Sequence, residues 1–471
     1  MPSFSGVRRL LAPVAAISLV VVASATLPQA SAATSSALRR YPYLTDLVMG
    51  HVNINWATTT AITSGSVTYG LSGTESCTAH TVNATKTSIT VGSTTEYQWR
   101  TTLDGLSRNT AYCYRVLGGG TDLLGTDASP IFRTQLAAGS TASFSFAVIG
   151  DWGEQATSAI NTDQANVLAR IAGSGARFAV TTGDIAYPGG SQTNYGDLVQ
   201  TGANVSTVFG PSYWTVPGDT VPYFNVLGNH GLNSAILTNW PESRAASSSS
   251  GQYAMQTYCC TNGTSSVSYP SAWYAFNAGR ARFYILDASW ANSNVGTADL
   301  YKNDYDNHWT TTSPEYQWLQ QDLAAHPGGL KFAFFHFPLH SPSSTEVSDT
   351  YLDGAGHLEG LLADNGVDLI FNGHAHTYAR STPAGLPIGY VTGGGGAHLE
   401  PATVCGGPIA AALGWSYSSS THGSSCGSLT RPTSIDQVFH FSLVTVNGST
   451  VTVAPTDELG RTFDVQTYHF G

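Results

Sequence analysis

Asn372-Gly373-His374-Ala375-His376, set directly behind the apolar run Val367 to Phe371, is the stretch on which the reading of this chain turns. In an extended segment, residues two apart face the same way, so the His374 and His376 rings can reach one site and divide between two cations. The same construction recurs upstream. Phe144 to Ile149 ends in Gly150-Asp151-Trp152-Gly153, Phe178 to Thr182 in Gly183-Asp184-Ile185-Ala186-Tyr187, Tyr223 to Leu227 in Gly228-Asn229-His230, and Phe332 to Phe335 in His336. Each ending alone is a common turn or a packed histidine. Five in order, each behind its own apolar run, point to one crevice, because the carboxyl ends of adjacent strands in an open α/β sheet share one.

The residue types are those of a two-metal centre. Asp151, Asp184, Asn229, His336, His374 and His376 supply two carboxylates, an amide and three imidazoles. One carboxylate between two cations holds them about 3.5–4 Å apart. Glycine precedes Asp151, Asp184, Asn229 and His374, where it lets the backbone turn sharply and approach an ion closely.

Outward from these motifs, apolar strands alternate with helical spacing. Ile160 to Ile171 between the first two strands makes a βαβ unit, and Glu315 to Ala325 and Leu358 to Asp364 also have helical spacing. Phe283 to Leu286 and Gly389 to Thr392 are further strands. Val438 to Tyr468 has the alternation of a β meander, with Asn447-Gly448 as a type I′ hairpin signal. The Ser/Gly/Thr-rich stretches Ser243 to Ser268 and Ala402 to Ser425 have the composition of surface loops. Before Phe144 the text is different. From Tyr41 to Thr134, short alternating runs such as His51 to Trp56 and Tyr112 to Val116 are punctuated by Gly, Ser, Thr and Asp, as in a β-sandwich, with no helix. Leu136 to Thr141 is the expected linker, giving domains at 41–134 and 144–471. There is no internal repeat.

Residues 1–32 have the form of a signal peptide: Arg8 and Arg9, an apolar stretch from Leu10 to about Leu27, and Ala30-Ser31-Ala32 as the cleavage tripeptide. Pro13, Ser18 and Ser24 interrupt the stretch, which falls short of the ~20 apolar residues of a spanning helix. The expectation is an exported protein with no membrane association after cleavage. Six cysteines fit that compartment. Cys77 is expected to pair with Cys113. Cys259, Cys260, Cys405 and Cys426 stay open, since 405 with 426 and a link to the vicinal pair are both possible, and none of the spacings is that of a zinc finger.

The 19 Lys+Arg and 30 Asp+Glu leave a net charge of -11, and lysine occurs only at 86, 302 and 331. A nucleic-acid backbone needs a basic stripe that this chain lacks. Phosphate affinity must therefore come from bound metals and nearby histidines.

With these motifs in view, the chain resembles the calcineurin-like metallophosphoesterases and, among them, the purple acid phosphatases. The resemblance covers the five motifs, the continuation to Arg380, the Gly393 to Gly396 run before Ala397-His398-Leu399-Glu400, and the leading segment. It implies a fibronectin-III-like all-β sandwich followed by an α/β catalytic domain of αββα layering. Most of the superfamily has a metal-binding His two residues after the first Asp. Here that position is Gly153, and Tyr187 stands three after the second Asp, which is the purple acid phosphatase pattern. A phenol with a pKa near 10 must ionise to bind, which a trivalent cation promotes best, so Tyr187 argues for Fe(III). The family pattern then assigns Asp151, Tyr187 and His376 to Fe(III), Asn229, His336 and His374 to a divalent Fe, Zn or Mn, and Asp184 to the bridge.

The resemblance further implies an acid phosphatase that splits small phosphate monoesters with a metal-activated hydroxide, using His230 as proton donor or transition-state stabiliser; His340, four residues after His336, is either a helper in catalysis or a surface histidine. Trp152, Tyr378 and Arg380 are candidates to shape the pocket or simply to pack. Gly231, Ala379 and His340 depart from residues frequent in relatives, which bears on support of the histidines and on substrate preference. Two other readings are a phosphodiesterase on nucleotides or lipid head groups, and a non-catalytic surface module built on the sandwich. Tyr187 disfavours the first, and retention of the whole ligand set argues against the second.

Overall fold

A computed structural model describes residues 35–153, 162–198, 208–209, 218–230, 256–259, 266–269, 273–286, 314–350 and 352–471. The expected signal peptide, the side chain of Cys259, and Cys260 lie outside the described residues.

The leading segment is all β. Leu38–Val48, His51–Thr59, Thr94–Leu103 and Thr85–Val91 pair in one sheet, and Gly65–Leu71, His80–Asn83, Ala111–Gly118, Thr121–Asp122 and Ile131–Arg133 in the other. Along Thr94–Leu103 the buried side changes at Gln98–Trp99: Glu96 and Gln98 are buried on one face, and Trp99, Thr101 and Leu103 on the other. Between the sheets Trp56 stacks on Trp99 at 6.3 Å, and the Trp99 indole N–H donates to Thr58 Oγ1 at 2.7 Å, so its one polar atom is satisfied. Cys77 is bonded to Cys113.

The second part, from Phe144 on, is two sheets face to face with helices outside. In the first, Phe144–Ile149, Ala179–Thr181 and Tyr223–Phe224 run parallel, and the Thr162–Gly173 helix buries Val167, Leu168 and Ile171. In the second, Ala281–Ile285, Leu330–Phe334, Leu369–Asn372 and Ile388–Thr392 run parallel. Strand alternation sorts the apolar residues. Phe332 and Phe334 face the other sheet, where Phe146 lies 5.6 and 6.2 Å from their rings and 5.0 Å from Phe283. Ala333 and Phe335 face out and cluster with Leu319 and Leu323 of the Pro314–Ala325 helix and Leu358 and Leu362 of the Leu358–Asp364 helix. Burial on both sides explains why these strands read as unbroken apolar runs.

Four sequence expectations change. The single open sheet suggested by the motifs alone gives way to the two sheets of the αββα layering that the resemblance implies: Asp151, Asp184 and Asn229 follow strands of the first sheet, and His336, His374 and His376 follow strands of the second. Parallel pairing within each sheet and face-to-face stacking put all these strand ends on one rim. The expected linker is docked rather than free, since Leu136 is buried in the core and the Gly139 N–H donates to the Gly279 carbonyl at 2.8 Å. Both Ser/Gly-rich stretches contain strands. Gln256–Cys259 pairs with Ser266–Tyr269, and Ile409–Trp415 with Gly423–Gly427 at the edge of the second sheet, where small Ala411 and Ala412 allow close packing and Cys405–Cys426 ties the hairpin. The terminal hairpin exists, but its loop is Gly448-Ser449, between the paired Asn447 and Thr450. Positive φ falls on Gly448 alone, which is not the type I′ pattern of two successive positive φ values.

The leading sandwich and the first catalytic sheet are continuous. Leu38–Val48 lies parallel to Tyr223–Phe224 through the Thr45–Tyr223 pair, making one ten-stranded sheet. One apolar cluster runs from Trp56 to Phe441 without a break between the two parts.

Candidate metal centre

The turns that carry the site are unusual in their backbone. Asp151, Asp184 and His374 themselves adopt left-handed φ values of 55°, 51° and 66°. Non-glycine residues pay for that conformation, and such strain gathers where a function over-determines it. Most of the preceding glycines serve close approach instead. A Cβ on Gly228 would lie 2.0 Å from Asp184 Oδ1, and one on Gly153 would lie 1.8 Å from the Ile185 carbonyl oxygen. A side chain at Gly153 would push the first two motifs apart, and one at Gly228 the second and third.

All seven expected ligand residues meet. On one side, Tyr187 Oη lies 3.3 Å from Asp151 Oδ1, 3.1 Å from Asp184 Oδ2 and 3.1 Å from His376 Nε2, with His376 Nε2 also 3.5 Å from Asp151 Oδ1. On the other, Asn229 Oδ1 lies 2.8 Å from His336 Nε2 and 3.1 Å from His374 Nδ1, and His336 Nε2 lies 3.2 Å from Asp184 Oδ2. Asp184, His336 and His374 offer ligand atoms all within 4.8 Å of one another. Separations near 3 Å are those of neighbouring donors around one cation at bond lengths of about 2.1 Å. One oxygen, Asp184 Oδ2, reaches both groups.

The ring tautomers are set from behind. His336 Nδ1 contacts the Thr182 carbonyl at 2.8 Å and His376 Nδ1 the His398 carbonyl at 2.8 Å, so each ring donates there and keeps an Nε2 lone pair for the site. His374 is reversed. Its Nδ1 faces Asn229, while Glu346 Oε2 lies 2.6 Å from its Nε2. The His374 backbone N–H donates to both Asp151 oxygens at 3.0 Å, which ties the two sheets together at the site.

Charges sharpen the picture. Burial alone would raise the Asp184 carboxyl, but His336 and His230 outweigh it and hold it well below the usual carboxylate range. Burial lowers His336, yet the Asp184 and Asp151 carboxylates lift it to about 9. For His376 burial again opposes, and Asp151, the His398 carbonyl and Glu400 raise it to about 10. Burial raises Glu346, but His374, with His376 and His336 behind it, outweighs burial for a net lowering. Without a cation these rings hold protons where a metal centre would hold metal, which is the chemistry of a donor set suited to metals.

The remaining candidates divide. His230 stacks on Tyr187 at 4.5 Å, its Nδ1 contacts the Pro188 carbonyl at 2.7 Å, and its backbone N–H donates to Asp184 Oδ1 at 2.7 Å. The Nε2 of His340 is held by buried Glu359 at 2.8 Å, and among the described residues it makes no hydrogen bond or ion pair with a ligand residue. Trp152, Tyr378 and Arg380 pack: Trp152 is fully buried and donates to the Ile185 carbonyl, and Asp464 takes both the Tyr378 hydroxyl and the Arg380 guanidinium. Glu346 went unnoticed in the sequence reading. Its only local signal is an acidic residue ten positions after His336.

The calcineurin-like phosphoesterase profile matches residues 144–378, and the purple acid phosphatase N-terminal domain profile matches 41–136. The chain belongs to the purple acid phosphatases of the calcineurin-like phosphoesterase family. It is similar to purple acid phosphatase 4 of Arabidopsis thaliana, 25% identical over 263 residues, 54% of this chain and 68% of the relative. A shorter match to purple acid phosphatase 15 of the same plant is 28% identical over 187 residues, 37% of this chain and 30% of the relative. To phosphoenolpyruvate phosphatase of Allium cepa it is 23% identical over 341 residues, 70% of this chain and 60% of the relative. The chain thus spans less than two thirds of the latter two. Purple acid phosphatase PPD1 from yellow lupin (Lupinus luteus) seeds shares the fold at a TM-score of 0.58 and 16% identity, over 92% of this chain and 74% of that one. A purple acid phosphatase implies a dinuclear metal centre, and the donor set described above fits two ions. Family membership also gives the Gly153 clash its meaning: the space a histidine would need is filled by the Ile185 backbone, and Tyr187 enters the site from that same segment.

Proposed function

We propose that this chain is a secreted hydrolase of small phosphate monoesters, working at acid to neutral pH with Fe(III) and a divalent metal. Asp151, Tyr187 and His376 would hold the ferric ion, Asn229, His336 and His374 the divalent ion, and Asp184 would bridge. The observation that carries the reading is the position of Asp184 Oδ2, within 3.1 Å of Tyr187 Oη and 3.2 Å of His336 Nε2, so that one oxygen serves both donor groups.

When bound, the two metals would neutralise phosphate charge, orient the ester and make a water nucleophilic near neutral pH. The protein's own groups do the rest. The carbonyls of Thr182 and His398 fix which nitrogen of His336 and His376 can ligate. His230, with Nδ1 donating to the Pro188 carbonyl, keeps Nε2 as the atom able to carry a proton to the leaving ester oxygen. Its stacking on Tyr187 couples that donor to the ferric half. Export is supported by the sequence of residues 1–32 and by two disulfides, which persist in oxidising compartments. Among the described residues no helix is long and apolar enough to cross a membrane.

The whole chain is acidic, at -11 before and -13 after loss of Arg8 and Arg9, so polyanionic partners are disfavoured while a small phosphoester meets a local excess of metal charge. The test is a panel of mono- and diesters assayed on the iron-loaded protein, together with its visible spectrum. A higher kcat/KM on monoesters and a tyrosinate-to-iron absorption that vanishes in Tyr187→Phe are expected. Preference for diesters would reverse the substrate assignment, and a colourless, iron-free but active enzyme would remove the ferric one.

A further inference from the structure

The segment after Tyr187 is held by the leading sandwich. Pro188 to Leu198 contains one helix, Gln192–Tyr195, only four residues long and far too short to persist without tertiary support. That support comes largely from across the chain. The Arg40 guanidinium, fully buried, donates to Gln192 Oε1 at 2.8 Å and to Gln98 Oε1 at 3.3 Å, and sits 4.4 Å over the Phe209 ring. Phe209 in turn stacks on Tyr195 at 5.8 Å and lies 4.8 Å from Tyr43. Arg39 joins Glu96 at 2.8 Å to Asp197 at 3.3 Å, and its carbonyl accepts the Leu198 N–H at 2.7 Å. The Gly92 N–H donates to Thr193 Oγ1 at 3.1 Å. Glu96 and Asp197 are both fully buried beside Arg39. Burial and the neighbouring Asp197 push Glu96 up to about 7, so the pair balances the two arginines without two full negative charges.

A buried charge network is a weak source of stability and a better source of unique geometry. The geometry at stake here is catalytic. The near end of the segment presents Tyr187 to the ferric half and the Pro188 carbonyl to His230 Nδ1. We infer that Arg39 and Arg40 are positioning residues of the phosphatase site: by gripping Gln192, Asp197 and Leu198, the leading sandwich fixes the loop that aims Tyr187 and, through the Pro188 carbonyl, the His230 ring. The inference rests on the function proposed above for Tyr187 and His230.

Gln192→Leu removes the loop's acceptor and leaves Arg40 with Gln98, Arg40→Met removes the grip itself, and Arg40→Lys keeps charge without the fork. Because a misplacement of about 1 Å can cost on the order of 100-fold, a loosened loop is expected to lower kcat about tenfold on an alkyl phosphate, a poor leaving group. On p-nitrophenyl phosphate, which needs less help from His230, the loss should stay within about twofold. The visible band should shift in Gln192→Leu, and hydrogen exchange across 187–198 should accelerate in the metal-free protein, with Arg40→Lys intermediate. Should Arg40→Met fail to fold, Gln192→Leu decides. A Gln192→Leu protein with wild-type exchange, band and leaving-group ratio, even at a lower Tm, would overturn the positioning role and leave the proposed function standing. A wild-type protein with neither band nor phosphatase activity would overturn both.

Discussion

Loading the metal-free protein with both ions should expel one proton from each of two histidines, besides the phenol proton of Tyr187. His336 at about 9 and His376 at about 10 are both essentially fully protonated at pH 7. Each must give up that proton for its Nε2 to bind a cation, so about two protons should leave these rings. The sign follows from the raised values: protons compete hardest at low pH, so apparent affinity rises with pH until the rings titrate on their own at about 9 and 10. The gaps of about 2 and 3 units at pH 7, at 1.36 kcal/mol each, amount to on the order of 7 kcal/mol set against binding. Between pH 6 and 8 the apparent affinity for Zn(II), used as a probe of the divalent half, should climb roughly 10-fold per pH unit for the one proton His336 gives up. Calorimetric titration in buffers of different ionisation enthalpy counts the protons directly. Release of fewer than about one proton, or an affinity independent of pH across this range, would refute the assignment of these rings as ligands held protonated by Asp151 and Asp184.

Three other substitutions test separate parts of the site. His230→Ala should slow monoesters with poor leaving groups by about 100-fold and activated ones far less, and equal losses in kcat on both would remove its role as proton donor. Glu346→Gln, which keeps the shape beside His374 Nε2 and deletes the charge, should weaken divalent-metal affinity about 10-fold in equilibrium dialysis; unchanged affinity would make the contact incidental. Gly153→Ala places a methyl 1.8 Å from the Ile185 carbonyl oxygen, so a loss of several kcal/mol in urea unfolding is expected, and a wild-type midpoint would show that the turn yields easily.

The chemistry of the site was legible in the sequence because it depends on residue type and local period. A strand buried on both faces must be an apolar run, as Phe144–Ile149 and Leu330–Phe334 are, and the residues just past its carboxyl end must be the polar ones. His374 and His376 at a spacing of two, and Tyr187 in place of a histidine at Gly153, needed no coordinates to be read. The Thr162–Gly173 and Leu358–Asp364 helices showed themselves by apolar spacing for the same reason. Where composition stood in for period, the reading failed: Ile409–Trp415 was read as part of a loop because the Ser/Gly/Thr-rich residues around it masked its apolar run.

Tertiary structure alone decided what joins distant residues. No local pattern says that the motifs leave two stacked sheets instead of one, that Asp184 Oδ2 is the oxygen shared by both donor groups, or that Glu346 stands behind His374. Nor does any say that Cys405 pairs with Cys426, or that Thr45 continues the catalytic sheet into the leading sandwich and brings Arg40 against Gln192. Apart from the local Asp184–Tyr187 pair, these contacts span from about 20 to over 170 positions, and each is specified by the packing of everything between its partners. Amino-acid type and spacing therefore determined which chemistry this protein carries, and the stacking of its sheets determined how those groups are aimed.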